Sequence, residues 1–267
     1  MQGLDKIHGT VVSCFVPEFY PPLCRERRNA LPCILLRDPH LLLVYKPPAV
    51  PAQPDPTGDK DILTLAAEEL ASAGEPSSLY PVHRLDRVTG GVMVLARNRK
   101  SAAALSALIS NHQEFCKQYF AVIPGVLTGD GEMRDFLVRD PRQGKAFAAA
   151  RPRPGAKEAR LHYTALAAAT LEGRDYTLIS VRLFTGRFHQ IRVQFASRGY
   201  PLVGDGKYGS REHAPVSLFA AGLSFSLFNK EYNVRELPPL SDFPWSLFDP
   251  ALYGTPHAVA TPLPRKK

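Results

Sequence analysis

The sequence predicts an α+β domain, a mixed and mainly antiparallel sheet with helices on its faces. Three observations carry this expectation. Short apolar runs that suit strands alternate with segments of helical spacing. Several strand-like runs lie close enough in the chain to form hairpins, which suits antiparallel pairing better than a doubly wound parallel sheet. Neither an internal repeat nor a low-complexity block interrupts the 267 residues. With 45% hydrophobic and 22% charged residues, the composition is that of a globular protein and excludes wholesale disorder.

Residues 1–32 read as an N-terminal arm, because Pro17, Pro21, Pro22 and Pro32 break any long periodic element. The catalytic-size domain is expected over 33–250. Leu41–Lys46 is the first clear strand, an apolar run stopped by Pro47-Pro48. Residues 49–59, rich in Pro and Asp, read as loop. Ile62, Leu65, Ala66, Leu70 and Ala73 share one helical face, with Asp61 as cap and Gly74 as stop. Gly91–Ala96 reads as a strand, and 101–111 as a helix capped by Ser101. Gln118–Ile123 is a strand ending at Pro124-Gly125. Residues 126–158 are weakly patterned. Strands follow over 160–167 and 176–184, then a short helix over 189–197 with Gly199 at its C-terminal end. One more strand fits within 217–228. Residues 251–267, proline-containing and ending Arg-Lys-Lys, are expected to be a mobile tail.

The net charge is +8, which favours a polyanionic partner such as nucleic acid. The excess is partly local: eleven basic residues face four acidic ones between Arg151 and Arg211. No apolar run reaches the roughly 18 residues a membrane-spanning helix needs. The first residues lack the plan of a secretory signal, so a cytoplasmic protein is expected. Cys14, Cys24, Cys33 and Cys116 form no C-x-x-C pair, and no His cluster completes a zinc spacing. Reduced thiols are expected.

Three segments concentrate reactive side chains. In the first, Arg84 and Arg87 flank Asp86 directly before an apolar strand. Flanking cations should hold that carboxylate ionised with a depressed pKa, which suits a nucleophile or an electrostatic stabiliser. Taken alone, the cluster also fits a loop salt bridge. In the second, Tyr119 offers a ring face to a base and a hydroxyl for hydrogen bonding, or simply packs in the sheet. In the third, Gly186-Arg187-Phe188-His189-Gln190-Ile191-Arg192 turns from a strand into a helix start. The downstream loop Pro201–Gly209 is glycine-rich but matches no nucleotide-binding pattern.

Together these segments resemble a known family. His83-Arg84-Leu85-Asp86-x-x-Thr89-x-Gly91 resembles the H-R-L-D-x-x-T-S-G signature of RluA-type pseudouridine synthases. Lys117-x-Tyr119-x-Ala121-x-Ile123-x-Gly125 resembles the family's second motif, and Gly186–Arg192 its G-R-T-H-Q-I-R motif. The loop Pro201–Gly209 resembles P-I-V-G-D-x-x-Y-G, and Leu42–Pro47 the apolar strand ending in Lys-Pro. All five occur in the family's order between Leu41 and Phe228. Gly90 stands where the family usually has Ser, and Phe188 where it usually has Thr. Phe188 could reshape the pocket rim and with it substrate preference. The RNA-binding domain that the family often carries at its N-terminus is expected to be absent.

The resemblance implies the pseudouridine synthase fold, a central RNA-binding cleft, and isomerisation of uridine to pseudouridine in rRNA or tRNA. It implies no cofactor and no metal, and RNA as the partner of a monomeric protein with no membrane. Asp86 is the implied catalytic acid residue, attacking C1′ or removing a ribose proton. Arg192 is its implied salt-bridge partner, and Tyr119 stacks on the target base. Arg84 is implied to hold the RNA once the uridine has flipped out; Arg187 contacts phosphate or braces its turn. Lys46, His83 and His189 read as structural or orienting groups. Two other readings stand beside this one. The first is a catalytically inactive RNA-binding protein on the same scaffold. The second is a carboxylate glycosidase, which would need a second acid about 5–10 Å from Asp86 that the core segments do not supply.

Overall fold

The computed structural model describes residues 33–111 and 114–263. The expected arm over 1–32 lies outside the described residues, as does the Arg-Lys-Lys end. The described residues begin with strands β1 (Cys33–Arg37) and β2 (Leu41–Lys46), which pair as a hairpin. Helix α1 (Ile62–Ser72) follows, with the Asp61 carboxylate accepting from the Leu63 and Thr64 amides, as expected of its cap. Strands β3 (Tyr80–Pro81) and β4 (Gly90–Ala96) flank the segment that carries Asp86.

Helix α2 spans Arg99–Ser110. Its cap is Asn98 rather than Ser101: Asn98 is extended, and its side chain accepts from the Ser101 amide. Ser101 is instead fully buried within the first turn. Strand β5 (Phe115–Pro124) is followed by β6 (Asp130–Asp140), β7 (Lys145–Ala149), β8 (Lys157–Leu171) and β9 (Arg174–Leu183). The weakly patterned stretch 126–158 therefore holds two whole strands and the start of a third. Much of β6 is exposed, so cross-strand pairing with β7 and β8 holds it and no apolar alternation marks it.

Helix α3 (Gln190–Ala196) starts one residue later than expected, because His189 occupies the cap with a left-handed φ of 54°. Strand β10 (Leu218–Leu227) turns into β11 (Lys230–Arg235), and β12 (His257–Pro262) pairs along β11. The expected mobile tail over 251–267 thus contains a sheet strand. Backbone pairing to β11 supplies the order that its proline-containing sequence conceals.

The described strands form one twelve-stranded sheet in the order β1-β2-β4-β10-β5-β9-β8-β6-β7, with β3, β11 and β12 paired off this path. Among the described strands only β4 and β10 run parallel. This is the mixed, mainly antiparallel α+β arrangement the sequence predicts. One face buries Ile62, Ala66 and Leu70 of α1 and Ile191 and Phe195 of α3 against β2, β4, β5 and β9. The other face is covered by α2 at one end and by Trp245, Phe248 and Tyr253 at the other. Gly91 is required where β4 meets β10: its φ is 124°, and a Cβ there would lie 2.2 Å from the Ala220 carbonyl oxygen.

Candidate active site

The site is built where the segment between β3 and β4 meets β5, the end of β9 and the start of α3. A cavity of about 590 Å³ opens there, lined in part by Arg84, Asp86, Lys117, Tyr119, Arg187 and His189. That volume lies within the usual range for small-molecule pockets.

Several bonds fix the Asp86 turn. Lys46, fully buried at the end of β2, donates to the carbonyls of Pro47 (2.9 Å), Val50 (2.7 Å) and Arg87 (3.2 Å). Leu85 drops into the core beside it, and the Thr89 amide donates back to the Asp86 carbonyl at 3.0 Å. Burial pulls Lys46 down to about 7, against the attraction of Asp86. Gly90, where the family usually has Ser, faces Pro48: a Cβ would lie 2.9 Å from its ring.

The two arginines beside Asp86 do not grip it. Arg87 turns outward onto Asp55, Asp59 and Thr57. Arg84 is exposed and makes no hydrogen bond or ion pair with any described residue. The expected depression of the Asp86 pKa is therefore corrected. Burial raises it, opposed by Arg192 and, more weakly, by Arg84, with Asp205 adding to the rise.

Arg192 projects from α3 and is 4% exposed. Its Nη1 donates to Asp86 Oδ2 at 3.4 Å. The stronger contact is bidentate, to Asp205: Nε to Oδ2 at 2.6 Å and Nη2 to Oδ1 at 2.8 Å. Asp205 is 1% exposed. Asp205 lies in the Pro201–Gly209 loop, to which local sequence assigns no role. It is the lone acid between Asp175 and Arg211, a signal that it neutralises a buried cation. Gly204 shapes that loop, with a φ of 79° and no space for a Cβ against the Pro215 carbonyl.

His189 closes the other side. Its Nε2 lies 3.8 Å from Asp86 Oδ2, and its Nδ1 is 2.8 Å from the Tyr208 hydroxyl. That hydroxyl accepts from the Ala146 amide at 2.9 Å. Burial and the nearby cations hold His189 down at about 3, so it is neutral at pH 7. His83 is likewise held at about 3, chiefly by burial, and its Nε2 accepts from the Val94 amide. Phe188 stacks on the His189 ring at 3.8 Å, with the Arg139 guanidinium 4.6 Å from its own centroid. Where the family usually has Thr, this chain has an aromatic brace against His189.

Tyr119 stands on β5, buried against the cavity, and burial with the Asp86 charge pushes its phenol up. Arg187 donates through Nε to the Glu158 carbonyl at 2.8 Å, so one edge of its guanidinium braces the turn. The structure thus brings Asp86, Tyr119, Arg84 and Arg187 to one cavity, with Arg192 behind Asp86 in contact with its carboxylate.

A sequence model of the RNA pseudouridylate synthase family matches residues 40–197. The chain belongs to this family. It is 34% identical over 185 residues to a ribosomal large subunit pseudouridine synthase D of Xylella fastidiosa, covering 68% of this chain and 53% of that one. It is 30% identical over 209 residues to a tRNA pseudouridine synthase C of Pectobacterium carotovorum, covering 76% and 54%. The chain spans about half the length of these curated relatives. Human RNA pseudouridylate synthase domain containing 4 superposes with a TM-score of 0.64 at 25% identity, covering 78% of this chain and 89% of that one. These neighbours share the pseudouridine synthase fold. Among the described residues no helix is long and apolar enough to cross a membrane.

Proposed function

We propose that this protein isomerises specific uridines to pseudouridine in structured rRNA or tRNA, as a monomer acting in the cytoplasm. The observation that carries the reading is the Asp86–Arg192 contact at 3.4 Å on the wall of a cavity that also holds Tyr119. In this reading the target uridine flips out of its stack, at a cost of a few kcal/mol, and its ribose meets Asp86. The carboxylate attacks C1′ and displaces the uracil, or removes a ribose proton so that the uracil leaves. The uracil turns and rejoins through C5, which frees the carboxylate or returns the ribose proton, and the C5 proton is lost as N1 gains one. Both routes need the ionised carboxylate, and Arg192 favours it against the burial that opposes it.

Tyr119 stacks on the base. Arg84, exposed and unengaged by described residues, enters or clamps the gap left in the RNA. Arg187, with Nε committed to Glu158, offers its remaining N–H groups to phosphate. The basic stretch from Arg151 to Arg211 makes RNA affinity salt-dependent. This reading needs no cofactor and no metal.

The test is pseudouridine mapping of total RNA from cells with and without the gene, complemented by wild type or Asp86→Asn. Sites that disappear on deletion and return only with wild type support the reading and name the substrate. No changed site in any RNA class would overturn it in favour of an inactive RNA-binding protein.

A further inference from the structure

Lys117 is a buried cation that the mechanism above does not use. It is 6% exposed and lines the cavity. Its ammonium makes no hydrogen bond or ion pair with any described residue, although buried charges are ordinarily paired. The titratable and charged groups acting on it are Arg187, Cys116 and His83, none of them a carboxylate. A Cβ at Gly186 would lie 3.3 Å from Nζ, so the glycine leaves that end of the side chain uncovered on the cavity side. Its Nζ faces the open cavity, where an acceptor from outside the chain can reach it.

Its position says which acceptor. Lys117 and Tyr119 lie two residues apart on β5, so both side chains point into the cavity from one sheet face, about 6.5 Å apart along the strand. Arg84 and Arg139 are exposed at the cavity rim, and Arg187, proposed to meet phosphate, is half-buried with its Nε committed to the Glu158 carbonyl. Lys117 is deep, beside the ring proposed to hold the base. We propose that Lys117 is a further catalytic residue: its ammonium donates to a carbonyl oxygen of the uracil and stabilises the negative charge on the detached base.

This inference rests on the synthase reading. When the C1′–N1 bond breaks, its electron pair passes to N1 and delocalises onto O2 and O4. The base turns and C5 forms the bond to C1′, as the Asp86 carboxylate leaves C1′ or the ribose regains its proton, giving a neutral ring with a proton on C5. That proton then leaves to a base while N1 takes one up, which restores the aromatic ring as pseudouridine. Lys117 forms no covalent bond; it holds charge while the base is free. Such a donor acts in the transition state far more than in the ground state, so its loss lowers the rate without loosening RNA.

The experiment uses the full chain and the RNA identified by mapping. Single-turnover rate, RNA affinity and its salt slope are measured for wild type, Lys117→Met and Lys117→Ala, with circular dichroism to verify folding. The expected result is a rate loss of about 100-fold or more, affinity within about threefold, and an unchanged salt slope. Burial, with Arg187 beside it, lowers the Lys117 pKa, so the wild-type rate is expected to fall at alkaline pH as the ammonium loses its proton, and that fall should disappear in both variants. Methylammonium restores part of the Lys117→Ala rate, which a merely structural lysine would not permit. A salt slope reduced by about 1, with a matching loss of affinity, would assign Lys117 to a phosphate instead and overturn the inference. So would folded variants with wild-type rates. Wild-type protein that converts no uridine would overturn the synthase reading and this one with it, whereas an active wild type beside active variants overturns this one alone.

Discussion

Asp205→Asn isolates the ion pair that holds Arg192 beside Asp86. Arg192 and Asp205 are 4% and 1% exposed and share two charge-assisted hydrogen bonds at 2.6 and 2.8 Å. Removing one charge from such a buried pair costs about 3–5 kcal/mol, because the other is left uncompensated. Asp86 remains near Arg192, but at 3.4 Å and through one contact, so it replaces little of the lost bond. For a chain of this size, about 2–4 °C of melting temperature accompanies each kcal/mol, so Asp205→Asn should melt about 6–20 °C lower. Asp86→Asn loses only the longer contact and also relieves the burial of a charge whose pKa is raised. Its stability should stay within about 1 kcal/mol of wild type. Urea titration of both single variants and the double variant gives the coupling directly. The reasoning fails if Asp86→Asn costs several kcal/mol while Asp205→Asn costs less than about 1, since Arg192 would then be held chiefly by Asp86.

Asp86→Asn should abolish pseudouridine formation while leaving the RNA dissociation constant nearly unchanged, read by filter binding beside RNA mapping. Arg84→Ala should leave the melting temperature unchanged and, if Arg84 meets phosphate, reduce the salt slope of RNA binding by about 1. Stability should fall on acidification, because His83 and His189 are held at about 3 against an ordinary 6.5. The unfolded chain binds more protons in that window, so the stabilisation is complete above about 6.5 and is lost as pH falls toward 3. The slope reaches up to about 2.7 kcal/mol per pH unit for the two groups, and His83→Asn should halve it in urea titrations at pH 4–7. Lys46→Met leaves the carbonyls of Pro47, Val50 and Arg87 without their shared donor and should cost about 1–3 kcal/mol, with a larger loss of rate because the Asp86 turn loosens.

Local pattern was enough for the elements with strong periodicity. The helical face of Ile62, Leu65, Ala66 and Leu70 and its Asp61 cap are as expected, as are the cores of β2, β4, β5, β9 and β10. Strands β1, β3, β6, β7, β11 and β12 were not legible; β6 and β7 close a hairpin and β12 lies along β11, so backbone pairing and not a marked apolar alternation of their own orders these last. The cap at Asn98 was missed because Asn and Ser three residues apart are both good caps. Their backbone conformation and burial decide between them.

The site divides along the same line. Residue type and motif order named Asp86, Tyr119, Arg192, Arg84 and Arg187, and all five line or adjoin one cavity. Charge adjacency in sequence misled on the electrostatics: Arg87 stands next to Asp86 but is held outward by Asp55 and Asp59. What the sequence alone determined was the fold class and the family, and it named the candidate site residues, since these follow from side-chain chemistry and local spacing. Only the tertiary structure decided which charges meet. It pairs Arg192 first with Asp205, thirteen residues along the chain, sets His189 against Asp86, and leaves Lys117 buried without a described partner. Coulomb energy depends on distance in space and on the removal of water, and folding sets both.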